Sequence, residues 1–413
     1  MTRSVIIGCL FLSNLGCQNS PLNRILKNAP ESVTNVISNP REYGAQIVYV
    51  QIDRDQANQP SFRTYTHRSD KDAYFYPAST VKLPMSLLAL EKLNDMQIPG
   101  LDKHVRMQTD SVRPPQSRVL LDTTSASGVP SVAHYIRKIF IVSDNDAFNR
   151  LYELVGWDEI QDRLSGKGLT STRIIHRLSD ARFGPAENRC TNPVQFFNSD
   201  TLVYAQQEQC AKDSIIFRPR GEQKGVAFID RDGNLVPEPF DFSMKNFFPL
   251  EDQVRALKAL YFPSSVPPEN RFNLTQDDYR FVYDAMSTLP AESRFPVYDT
   301  TTHPDSYVKF FMYGDSKSPI PGHVRIFNKV GWAYGYLTDC AYVVDFENEI
   351  EFIVAATVHV NANKTYNDGI YEFDEAGIPF MAELGRQVYA YELSREREYR
   401  PDLSHLNFTR KYD

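Results

Sequence analysis

The stretch Tyr76-Pro-Ala-Ser-Thr-Val-Lys-Leu-Pro-Met-Ser-Leu-Leu-Ala-Leu-Glu-Lys-Leu93 decides the reading of the chain. Its apolar positions Leu83, Leu87, Leu88, Leu90 and Leu93 recur at helical spacing. A helix starting at or just before Ser79 sets Ser79 and Lys82 one turn apart on one face. The hydroxyl and the amine then lie side by side where backbone N–H groups are unpaired and the helix end is partly positive. That setting suits a serine nucleophile. A desolvated amine with a lowered pKa takes the hydroxyl proton, and a free N–H holds an oxyanion. Pro84 costs little so close to a helix start.

Composition narrows the field. The chain has 413 residues, 42% hydrophobic and 23% charged, as in ordinary globular proteins. A net charge of −7, with no basic run, argues against a nucleic-acid partner. There is no Gly-rich phosphate loop and no CxxC pair, and the eight His are scattered, so the sequence implies neither cofactor nor metal.

Arg3 precedes an apolar run at residues 5–12, then Ser13-Asn-Leu-Gly-Cys17. Residues 1–17 read as a lipoprotein-type signal, too short to span a bilayer. Leu15-Gly16-Cys17 resembles the end of a bacterial lipobox, although Asn14 stands where an apolar residue is usual. The expectation is an exported periplasmic or cell-envelope lipoprotein whose membrane contact is a lipid on Cys17. Cys190, Cys210 and Cys340 remain, which permits one disulfide; Cys190 with Cys210 is one pairing.

Residues 18–40 are polar with prolines and read as a linker with a helical turn or two. Residues 43–52 and 61–67 read as a strand hairpin, and helical patterns fill much of 129–164 and 250–289. Residues 176–193 read as a long loop, and 205–250, rich in charge, Gly and Pro, as an insertion. Strand patterns occupy 324–360, a closing helix 373–391, and a loosely held charged tail 396–413. This order predicts an α+β domain over 41–395. Its sheet part is 41–78 and 320–395, its mainly helical part 79–319, and its active site the cleft between them.

Three motifs stand in order: Ser79-Thr-Val-Lys82, Ser143-Asp-Asn145 and Lys329-Val-Gly331. The triplet resembles that of the class A serine β-lactamases and penicillin-binding proteins. Ser143-Asp-Asn-Asp-Ala-Phe-Asn149 and Lys329-Val-Gly-Trp-Ala-Tyr-Gly335 extend the likeness, which covers much of 41–395. The resemblance implies a β-lactamase/transpeptidase-like fold, an antiparallel sheet flanked by helices beside an all-helical subdomain. It also implies roles. Ser79 is the acylated nucleophile and Lys82 its base, directly or through water. Ser143 relays a proton to the leaving nitrogen. Asn145 binds the substrate amide and Lys82. Lys329 holds Ser143 and attracts the substrate carboxylate. The N–H groups of Ser79 and Trp332 form the oxyanion hole after Gly331, with Trp332 contributing main chain only. Asp144 is structural.

Two departures bear on function. Val330 stands where the family carries a hydroxyl that helps hold the substrate carboxylate, a loss of about 1 kcal/mol. No Glu-x-x-Leu-Asn precedes Cys190-Thr-Asn-Pro193; Asp180 and Glu187 are the carboxylates available there. Without a base on the deacylating water an acyl-enzyme persists. The resemblance implies a serine hydrolase acting on β-lactam-like amides. The alternatives are a D,D-peptidase or acyltransferase on peptidoglycan stem peptides, and a non-catalytic lipoprotein that binds wall fragments.

Overall fold

The computed structural model describes residues 20–212 and 217–407; the leader and Cys17 lie outside them. Two helices come first, α1 (Pro21–Asn28) and α2 (Glu31–Ser38). The central sheet has five strands, β1 (Gln46–Arg54), β2 (Pro60–His67), β3 (Val324–Ala333), β4 (Tyr336–Asp345) and β5 (Ile350–His359), ordered β3-β4-β5-β1-β2. Every neighbouring pair is antiparallel.

Strand alternation divides the interior into two cores. Val48, Val50 and Ile52 of β1 pack with Phe327, Tyr342 and Ile353 in the core shared with the helical part. Ile47 and Tyr49 face the other way, with Ile326, Val330 and Val354, onto α1, α2 and the last long helix. Between the sheet's two halves run α3 (Lys82–Met96), α4 (Val132–Val142), α5 (Asn145–Val155), α6 (Trp157–Gly166), α7 (Leu250–Tyr261) and α8 (Gln276–Ser287). α3 is buried from Lys82 to Leu93 on all sides, as befits the axis of that part. The rear helix is α9 (Ile378–Ser394). The architecture is α+β, as expected. Among the described residues no helix is long and apolar enough to cross a membrane.

Three segments differ from the sequence reading. Residues 20–40 are not a tether: Leu22, Ile25, Leu26, Val33 and Val36 are buried in the rear core. Their apolar positions are few, but they lie on one side of two short helices, Ser20 caps the first, and Pro21 occupies its first turn. Residues 395–407 are also held. Arg395 and Arg397 both bind the buried Glu392 carboxylate, and Leu403 and Leu406 are buried. Charge there signals ion pairing rather than solvation. The 205–250 excursion forms short strands and buries Phe242 completely against Tyr74, Tyr334 and Tyr366.

Because Leu22 is fully buried, Leu22→Ala should lower unfolding free energy by about 2–5 kcal/mol in urea titration. A value near zero would restore the tether reading.

Candidate active site

Each motif takes its position from local backbone constraints. Ala78–Val81 is a 3-10 turn that runs into α3, with Ala78 at φ +46°, a left-handed conformation uncommon for alanine. Ser79 sits in this turn, part-exposed on the cleft floor. Lys82 is the first α-helical residue, and its whole side chain is buried. Ser143 caps the C-terminus of α4 at φ +62°, and Asp144 caps the N-terminus of α5 by accepting from the Ala147 N–H at 2.8 Å. A corner of two residues between helices thus turns the Ser143 and Asn145 side chains into the site. Asp144 is occupied as a cap and pairs with Lys138 at 3.4 Å.

The polar side chains converge. The Lys82 amine donates to the Ser143 carbonyl, to Ser143 Oγ at 3.2 Å and to Asn145 Oδ1 at 2.7 Å. The Lys329 amine reaches the same Ser143 Oγ at 2.8 Å and the Val330 carbonyl at 2.9 Å. Burial pulls the Lys82 pKa well below the ordinary lysine value; the neighbouring Lys329 adds to this and Asp144 opposes it. Burial also brings Lys329 down to about 7, against the attraction of Asp339, with Lys309 pushing the same way as burial. Asp339 is itself pushed up to about 6 by burial, although Asn328 donates to it at 2.8 Å. Two desolvated amines thus share one hydroxyl, that of Ser143.

Gly331 sets the spacing between sheet and turn. A Cβ there would lie 2.4 Å from the Pro77 carbonyl oxygen and 2.8 Å from the Ser79 nitrogen. No side chain fits, so β3 presses its main chain against the nucleophile's turn. This contact brings the Trp332 and Ser79 backbone together, where an oxyanion hole is expected. The Trp332 ring does more than the sequence suggested. It is 36% exposed at the cleft mouth, with the Phe310 and Tyr307 rings at 5.6 and 6.2 Å. Val330 points the other way: it is fully buried in the rear core, so its missing hydroxyl leaves no gap in the cleft wall.

The 176–193 loop closes one side. Asn149, one turn after Asn145 on α5, donates to the Leu178 carbonyl at 3.1 Å and accepts from the Leu178 N–H at 2.8 Å. Arg177 is buried over the Phe183 ring and paired with Glu153, and Cys190 is joined to Cys210 in a disulfide. The loop thereby presents Ser179 to the cleft, where Ser179 Oγ accepts from Asn145 Nδ2 at 2.9 Å. Asp180 turns aside to Arg182 at 2.6 Å, and Glu187 is exposed on a short turn; neither lines the cleft. Sequence reasoning missed Ser179. The available signal was Asn149, at the i+4 position from Asn145.

Lys82, Ser143, Asn145 and Lys329 are thus joined by hydrogen bonds behind the wall of a cleft of about 780 Å³ that Ser79, Ser143 and Asn145 line. The arrangement sets a serine hydroxyl at a cleft beside a second hydroxyl shared by two buried amines. Residues 31–213 match the model of the Beta-lactamase enzyme family. The chain's fold is of that family's type, an antiparallel sheet with helices on both faces. Among solved structures it is similar to a β-lactamase from Sphaerobacter thermophilus, at 14% identity over 87% of this chain and 94% of that one, TM-score 0.46. PBP-A is similar at 14% identity over 89% and 94%, TM-score 0.47. So is a β-lactamase from Chitinophaga pinensis, at 10% identity over 86% and 96%, TM-score 0.47. No curated protein matches the chain significantly.

Gly331→Ala should slow Ser79 acylation on the order of 10²-fold by displacing backbone donors, measured by intact mass against time. An unchanged rate would mean that the strand and the turn can separate freely. Acylation should also fall as acid protonates Lys82, with a midpoint well below the ordinary lysine value of about 10.4. A midpoint at the ordinary value would place that amine in water.

Proposed function

We propose that the chain is a serine acyl enzyme of the β-lactamase and penicillin-binding type. Ser79 is acylated by β-lactam-like amides or by peptidoglycan stem peptides, and the acyl-enzyme turns over slowly. The observation that carries this reading is the hydrogen-bonded set Lys82, Ser143 and Lys329 beside Ser79. In this scheme neutral Lys82 takes the Ser79 proton as Oγ bonds to the acyl carbon. The proton passes through Ser143 to the leaving nitrogen as the carbon–nitrogen bond breaks. Lys329 holds the Ser143 hydroxyl in line, Asn145 orients the substrate amide, and the Ser79 and Trp332 N–H groups receive the oxyanion.

The loop favours the transferase side over rapid hydrolysis. Where a base would face a deacylating water it offers the Ser179 hydroxyl, while Asp180 is tied to Arg182. The Cys190–Cys210 disulfide and the apolar leader support an exported, cell-envelope location; attachment through Cys17 is part of the same proposal.

Incubation with benzylpenicillin should add one acyl mass to the protein and none to Ser79→Ala. The adduct should persist for many minutes. Ser179→Glu should speed its release by about 10²- to 10⁴-fold. Rapid release from the unmodified protein would instead favour a β-lactamase, and no Ser79-dependent adduct with any acyl donor would leave the wall-binding lipoprotein.

A further inference from the structure

The walls of the cleft carry information about the acyl donor that the catalytic groups do not. Among the described residues that line it, none is Lys or Arg. The one acidic lining residue, Asp144, is paired with Lys138 and brings no positive charge. The two nearest amines are withdrawn. Lys82 is fully buried and Lys329 is 2% exposed, each already bonded to Ser143. Val330 turns into the rear core and gives no hydroxyl. The rings of Tyr76, Tyr307, Trp332, Tyr334 and Tyr371 stand along the wall, between neutral polar groups such as Asn145, Ser179 and Asn367 and the single imidazole of His303. Tyr334 is backed by Phe240 and Phe242 of the 205–250 excursion, at 5.5 and 5.4 Å, so this wall is built and not incidental.

A carboxylate entering such a site gives up water and meets no lysine or arginine in return, which is costly. Flat or ring-shaped neutral groups bury well against Tyr and Trp faces. We infer that the preferred acyl donor is neutral beside its scissile bond: an ester or amide with no free carboxylate there, carrying a broad ring-bearing group for the aromatic wall. This rests on the acyl-enzyme reading above and narrows its substrate. The step balances within the named groups. Ser79 Oγ bonds to the acyl carbon, the bond to the leaving oxygen or nitrogen breaks, and the serine proton ends on the leaving atom. The lowered Lys329 pKa of about 7 agrees, since this amine is not a permanent cation at neutral pH.

The test compares benzylpenicillin with its methyl ester and with a p-nitrophenyl ester of a neutral aromatic acid. Ser79 acylation is followed by intact mass on the full chain, with Ser79→Ala as control. The methyl ester should acylate at least as fast as the acid, and raising salt from about 20 to about 500 mM should leave the acid's rate unchanged. An acid more than about fivefold faster than its methyl ester, or slowed more than about fivefold by salt, would overturn the inference, because either result requires a cation facing the donor. If the p-nitrophenyl ester acylates Ser79 and neither penicillin does, the neutral-donor inference stands while the β-lactam part of the functional reading falls. If none of the three acylates Ser79, both fall.

Discussion

The Ser143 hydroxyl lies between two buried amines, and the rest of the site is arranged around that fact. One amine comes from the first turn of α3, the other from an edge strand of the sheet, and the hydroxyl from a corner between α4 and α5. Neither amine is matched by a carboxylate at bonding distance among the described contacts. Two full charges so placed would repel strongly in a poorly solvated interior. The protein relieves this by desolvation, which disfavours the charged forms, and leaves at least one amine able to accept a proton near neutrality.

Burial on this scale needs support from behind. Lys309 is buried next to Asn328 and donates to it at 2.7 Å, and Asn328 in turn donates to Asp339. This polar chain crosses the sheet behind Lys329, so the strand that carries the amine is fixed by satisfied hydrogen bonds as well as apolar packing. On the other flank, the loop holding Ser179 is gripped by Asn149, Glu153 and the disulfide. The polar groups of the cleft are therefore held by elements with their own reasons to be rigid.

Much of this was legible in the sequence, for identifiable reasons. Period-two apolar runs gave the strands, and Ser79-Thr-Val-Lys82 before a leucine-rich helix gave the nucleophile's setting. Ser143 and Asn145 were readable through the resemblance of Ser143-Asp-Asn145 to a family motif set between two helical patterns. Other features were hidden because they depend on distant partners. The helices at 20–40 look polar until the rear face of the sheet is there to receive Leu22 and Val33. The tail looks soluble until Glu392 is found buried beneath Arg397. Which way Val330 points is a matter of strand register, and a one-residue shift reverses it. Ser179 was invisible because its importance lies in the loop that aims it and not in its own chemistry.

The missing side chain at Gly331 has a wider consequence. It fixes how near two layers with separate apolar interiors can come, and the backbone of Ser79 lies at that junction. A bulkier residue deep in either interior, well removed from any reacting atom, would push on the same narrow gap. The tolerance of this protein to change in its hydrophobic interior is then governed by a clearance between backbones rather than by distance from Ser79.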